Sequence, residues 1–226
     1  MSWSYSNPHF AEIMQGGAPV SDAEVVVIGF HGKGGGASGI FNKMKKAAAG
    51  TDDVAYLAPK SANTVWFGDE FVSAGHDELQ TSLAAVTDLI RSLNAAGVSN
   101  DQIVLAGQSQ GAVLVNEYLA NTGDDVRGVV SWSGALVGPI YEAVMAGQIN
   151  PFFPGDLMGL EFDRIPGEYA GADLTGQTIQ MAVHDADPKV PLGAVLAMAD
   201  YYRAQGAHVE MHVEPGQPTI SPSMMS

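Results

Sequence analysis

The sequence predicts an α/β fold: one domain with a mostly parallel central sheet, helices on both of its faces and no large cap domain. Three observations carry this expectation. Apolar runs of strand length alternate with longer segments of helical period, the pattern of a parallel sheet with crossover helices. Several runs, such as Val25-Val26-Val27-Ile28, are almost continuously apolar, as strands covered on both faces require. Neither an internal repeat nor a low-complexity linker interrupts the 226 residues, so residues 1–226 read as a single domain.

Taken in order, the first twenty residues are too short for a domain of their own and are expected to form an edge hairpin. Strands are expected at residues 24–30, 54–58, 102–106, 126–132, 178–184 and 208–214, and helices at 39–49, 77–96, 110–121, 139–147 and 190–205. In the second helix Leu79, Leu83, Val86, Leu89, Ile90 and Leu93 recur at steps of three or four, which makes one apolar stripe. That helix ends at Ala95-Ala96-Gly97, where a glycine readily takes the left-handed cap conformation. Residues 148–177 break the alternation. They are rich in Gly and Pro and have no period, so they are expected to be an irregular insertion beside the functional site.

Composition excludes several classes. Twenty-five acidic residues against 10 basic ones give a formal charge of −15, which repels phosphate backbones, so no nucleic-acid partner is expected. The same excess suits either a simply soluble acidic protein or one adapted to salt, where screening relieves the self-repulsion. No stretch approaches the length of apolar sequence that spans a bilayer, and the first residues lack the basic and apolar regions of a secretory signal. A cytoplasmic location is therefore expected. With no cysteine there is no disulfide, thiolate ligand or thiol nucleophile, and no His/Asp/Glu group has ligand spacing beyond the chance cluster His184-Asp185-Ala186-Asp187. Neither a metal nor a cofactor is expected.

The stretch Gly107-Gln108-Ser109-Gln110-Gly111 carries the chemistry. It follows the apolar run Ile103-Val104-Leu105-Ala106 and opens a helical segment. Gly-x-Ser-x-Gly in that setting is a nucleophile elbow, a strained turn whose flanking positions must be small. Such a turn lifts the Ser109 hydroxyl clear of the sheet and sets the Gln110 N–H at a helix N-terminus, where developing negative charge is favoured. The plainer alternative is a glycine-rich turn that only packs tightly; the strand before it and the helix after it favour the functional one. A second glycine-rich stretch, His31-Gly32-Lys33-Gly34-Gly35-Gly36, follows an earlier strand, where this architecture draws its other oxyanion-hole N–H, assigned here to Lys33. It lacks the Gly-Lys-Ser/Thr ending of a phosphate-binding loop, although the Lys33 side chain remains an alternative anion site. After the 178–184 strand comes His184-Asp185-Ala186-Asp187-Pro188. It holds an acid in the chain order Ser, Asp, His, with Asp187 preferred and Asp185 in reserve.

With these pieces in order, the sequence resembles the phospholipase/carboxylesterase family of α/β-hydrolases, the group of bacterial carboxylesterases and acyl-protein thioesterases. The matching stretches are HGKGG, TVWFG, GQSQG, SWSGAL and HDADPKVP, from residue 31 to about 191. The resemblance implies an α/β-hydrolase fold and cofactor-free hydrolysis of esters or thioesters. Ser109 would be the nucleophile, Asp187 the triad acid, and the N–H groups of Lys33 and Gln110 the oxyanion hole. It also places Trp66-Phe67 near the acyl site. The expected activity is that of a serine carboxylesterase acting on small, short- to medium-chain esters through an acyl-enzyme. Lysophospholipase or acyl-protein thioesterase activity is the near alternative, and noncatalytic ligand binding the alternative of another class.

One departure stands out. The family's histidine lies in a short loop after the last strand, where this sequence has Glu214-Pro215-Gly216-Gln217-Pro218-Thr219. The six histidines are His9, His31, His76, His184, His208 and His212, and the general base is left unassigned among them. The family's closing helix is likewise expected to be missing, which would leave apolar surface on one face of the last strand; either a monomer or a homodimer is expected.

Overall fold

The computed structural model describes residues 3–68, 76–137, 172–187 and 189–215, with only the backbone of His76. Seven strands form one sheet: β1 (Phe10–Gly17), β2 (Val25–Phe30), β3 (Val54–Ser61), β4 (Ile103–Gln108), β5 (Gly128–Trp132), β6 (Thr178–His184) and β7 (His208–Glu214). Among the described residues four α-helices accompany them: α1 (Ala37–Ala47), α2 (His76–Ala95), α3 (Gln110–Thr122) and α4 (Leu192–Ala204). The predicted helix at 139–147 and most of the 148–177 insertion lie outside the described residues, as does the chain after Pro215.

The sheet order is β1-β3-β2-β4-β5-β6-β7, parallel except for β1 against β3. The first strand therefore does not make the expected hairpin. It pairs with β3 from Phe10 to Gly17, on the side of β3 away from β2, and so closes the sheet edge with an antiparallel strand. The 54–58 run extends to Ser61 because β1 supplies hydrogen bonds along its whole length.

Period decides which faces are buried. The face carrying Val26, Ile28 and Phe30 of β2, Ile103 and Leu105 of β4 and Val129 of β5 packs on the larger core, with α2, α3 and α4. The predicted stripe of α2, from Leu79 to Leu93, is buried throughout, and Gly97 takes φ 94° just past its end. The other face is covered by Ile40 and Met44 of α1 over Ala58, Tyr56 and Ala106. Strand β7 corrects the expectation of exposed apolar surface. His208, Glu210, His212 and Glu214 alternate onto one face, and Val209 and Met211 pack against the larger core from the other. The face of the edge left uncovered by the described residues is therefore polar, while Val213 is exposed at the far end. No described helix is long and apolar enough to cross a membrane.

Candidate active site

The site lies where β2, β4, β5 and β6 end. Strand β4 runs into Ser109, whose φ of 51° and ψ of −119° belong to a region that side-chain-bearing residues rarely adopt. Two anchors hold that conformation. The Ser109 N–H donates to Trp132 O at the end of β5 (2.8 Å), and Ser109 O accepts the first helical bond of α3, from the Val113 N–H (3.0 Å). A serine before a helix commonly caps it with its hydroxyl, but Ser109 makes no such bond. Its flanking glycines are demanded by close approach. A Cβ on Gly107 would lie 2.2 Å from Gly111 O, and one on Gly111 would lie 2.1 Å from Phe30 O.

The glycine-rich loop after β2 sits beside this turn. A Cβ on Gly32 would be 3.3 Å from that of Ser109 and 3.9 Å from its Oγ. Lys33 follows in a turn closed by Gly34 N–H to Thr64 O (2.8 Å) and Gly35 N–H to Gly32 O (2.9 Å). The two predicted oxyanion-hole residues are thus carried by loops that converge on Ser109. Gln110 is the first residue of α3, among the helix N–H groups without an intrahelical acceptor.

Sequence reasoning missed the Gln110 side chain. It is buried, its Oε1 accepts the Trp66 N–H (2.9 Å) and its Nε2 donates to Phe67 O (2.8 Å). The Trp66 indole N–H donates to His31 O (2.7 Å), and Ser82 Oγ donates to Trp66 O. Trp66-Phe67 is therefore bolted to the serine turn from one side and to the β2 loop from the other. The pairing of TVWFG with GQSQG was the available signal, but no spacing rule shows that a carboxamide will reach a backbone 43 residues away.

Asp187 is 7% exposed. Its Oδ1 accepts the N–H groups of Lys189 (2.9 Å) and Val190 (3.2 Å), while its Oδ2 is buried with no hydrogen-bond partner among the described residues. Asp185 instead follows β6 with its N–H on Glu214 O (3.1 Å).

The five histidine side chains among the described residues are engaged elsewhere. His31 donates from Nδ1 to Gly32 O (2.8 Å) and accepts the Ser61 N–H at Nε2 (3.1 Å), an arrangement that requires the neutral ring. Burial lowers its pKa, and so does the Lys60 charge, against the Gly32 carbonyl. His9 is half-buried, hydrogen-bonded to Ser82 Oγ (2.8 Å), and its pKa is lowered by burial. His184 Nε2 lies 3.2 Å from Glu214 on β7, the strand on the far side of β6 from Ser109. His212 lies 3.7 Å from the same carboxylate and His208 3.3 Å from Glu210, both exposed. Nearby, the Lys43 Nζ stands 4.6 Å from the Trp132 ring centre; burial lowers its pKa to about 8, against the pull of Glu214. Among the described residues, no group of three or more His, Asp or Glu side chains is placed to hold a metal.

A parallel sheet with a serine elbow after a central strand and an acid after a later one defines an α/β-hydrolase. Residues 11–146 match the sequence family described as Phospholipase/Carboxylesterase, and the chain belongs to that family. Among solved structures, the phospholipase/carboxylesterase from Dyadobacter fermentans is 26% identical with a TM-score of 0.74, over 99% of this chain and 96% of that one. The Bacillus cereus carboxylesterase is 15% identical with a TM-score of 0.66, over 95% and 90%. The carboxylesterase from Mesorhizobium loti is 16% identical with a TM-score of 0.64, over 89% and 85%. The last two likenesses concern the fold alone. No curated protein matches the chain significantly.

Proposed function

We propose that this protein is a serine carboxylesterase of small, neutral, short- to medium-chain esters, working in the cytoplasm through an acyl-enzyme. Ser109 Oγ attacks the acyl carbonyl, the N–H groups of Lys33 and Gln110 receive the oxyanion, and Asp187 orients the base. The main support is the Ser109 backbone, which holds a costly left-handed conformation that gives the helix no cap. Strain kept at one residue between two sterically obligatory glycines is understandable if the turn serves to present a hydroxyl. The Asp187 carboxylate, buried and with only one oxygen paired among the described residues, fits the role of a partner for an N–H donor.

The test is hydrolysis of p-nitrophenyl butyrate and palmitate, with fluorophosphonate labelling located by mass spectrometry. The expected result is label on Ser109, faster turnover of the short ester, and a Ser109→Ala rate equal to the buffer blank. Activity that survives Ser109→Ala sinks this mechanism. The noncatalytic alternative draws on the same histidine geometry, and it predicts ester binding without turnover.

A further inference from the structure

We propose that the free edge of β7 pairs antiparallel with β7 of a second copy of this chain, centred on Met211, and so joins two seven-stranded sheets into one. The pairing does not depend on the esterase mechanism, since Ser109 follows β4, three strands in from this edge.

Strand β7 ends the sheet and pairs with β6 alone, in unbroken register from His208 to Glu214. Its backbone groups divide by parity. The His208 N–H donates to Gln177 O (2.8 Å) and Glu214 O accepts the Asp185 N–H (3.1 Å), so the even-numbered residues bond toward β6. Successive residues of a strand turn these groups to opposite sides, which points the N–H and C=O of Val209, Met211 and Val213 out of the edge. There the exposed Arg203 guanidinium lies 3.4 Å from Val209 O, and no other bond to these groups is present among the described residues. Edge strands are ordinarily guarded by lysine, proline or a bulge, and the seven residues of β7 contain none of them.

The side chains select the occupant. Laid antiparallel on itself about Met211, the stretch HVEMHVE sets His208 opposite Glu214 and Glu210 opposite His212 on one face. On the other face Val209 stands opposite Val213, and Met211 opposite itself. The outward-pointing residues then make the hydrogen-bonded pairs, each exchanging both backbone bonds. The His–Glu pairs fall at the non-hydrogen-bonded positions, where Cα atoms are about 4.5 Å apart and side chains meet most closely. A shift of two residues would set Glu210 against Glu210 of the second copy and His208 against His212, so that like faces like. Within the chain Glu210 already meets His208 and Gln180, and Glu214 meets His184 and His212. A carboxylate offers about four acceptor sites, which leaves room for one more imidazole on each. Val213, 40% exposed, would be covered by Val209 of the second copy. A foreign strand could meet the backbone groups, but a second copy answers the alternation of charge and apolar residues as well.

The experiment is sedimentation velocity of the purified 226-residue chain from low to high micromolar concentration. A monomer–dimer equilibrium is expected. Val213→Lys places a lysine on the edge, and Met211→Pro removes an outward N–H without touching a bond to β6. The two-fold doubles each change, so each variant should weaken the dimer at least about 10-fold. Thermal melts check folding, and the exposed Val213 is the safer of the two positions. His212→Glu should also weaken the dimer, and adding Glu210→His to the same chain should restore it. Because the chain has no cysteine, mixed Glu210→Cys and His212→Cys chains should form a disulfide with each other in preference to their own kind, as read by mass spectrometry of the linked peptides. A protein that stays monomeric at the highest concentration overturns the proposal. So does a dimer that Val213→Lys and Met211→Pro both leave unchanged, which would place the contact on another surface. Equal disulfide yields within and between the two cysteine variants, or a double exchange that restores nothing, overturns the register centred on Met211.

Discussion

The two halves of the sheet's C-terminal edge are finished to different degrees. Around β2 and β4 almost every buried polar group is paired: His31 uses both ring nitrogens, Gln110 both ends of its carboxamide, and Trp66 its backbone and indole N–H groups. Around β6 and β7, Asp187 Oδ2 and His184 Nδ1 are buried with no partner among the described residues. On this side the outward face is a row of His and Glu on an edge strand. The contrast sets a tightly paired surround of Ser109 against a surround of Asp187 left, among the described residues, with an unpaired oxygen. Satisfied networks rigidify, and each unsatisfied buried group is a cost that some contact must justify.

The largest effect that would break this comparison comes from the finished side. Gln110→Ala leaves the proposed oxyanion-hole N–H in place but strips partners from the buried Trp66 N–H and Phe67 O, so urea unfolding should show a loss of about 1–3 kcal/mol. Turnover should fall with it, and more in kcat than in KM, because the turn is misplaced rather than the pocket emptied. An unchanged stability would mean that the clamp contributes nothing.

A smaller effect sharpens the other side. Lys43 stands over the Trp132 ring, and its pKa is lowered from 10.5 to about 8 by burial, against the Glu214 charge. The unfolded chain then binds more protons between those values, so the residue's contribution to stability rises as pH goes from about 8 to 10.5. Lys43→Met should remove that rise and leave the protein somewhat more stable at neutral pH, as read by thermal melts across the range.

The smallest effect belongs again to the finished side. Burial lowers the pKa of His31 and His9, so each contributes stability that is present above 6.5 and lost as pH falls below it. Thermal melts should decline on acidification, and His31→Gln should flatten that decline. A slope identical to that of the parent protein would show that His31 is not the responsible group.

Much of this molecule was legible in the residues. The apolar runs located six of the seven strands, and the 3.6-residue stripe located α2 to within one residue at either end. The Gly-x-Ser-x-Gly stretch located the strained turn because steric demand is local: Gly107 and Gly111 must be small whatever the rest of the chain does. What stayed hidden was pairing at a distance. That Phe10–Gly17 joins β3 on the side away from β2, or that β7 sets His208, Glu210, His212 and Glu214 on one face, follows from register, which alternation alone leaves open between neighbours.

The sequence by itself therefore determined the α/β order, the elbow and the acid that follows it, since each depends on residues a few positions apart. Only the tertiary structure decided that Gln110 bolts Trp66-Phe67 to the serine turn, that His31 is a structural neutral ring, and that Asp187 keeps one oxygen without a partner among the described residues. Those outcomes depend on which strand ends stand side by side, and hydrogen bonds between strand ends are set by packing distance rather than by position along the chain.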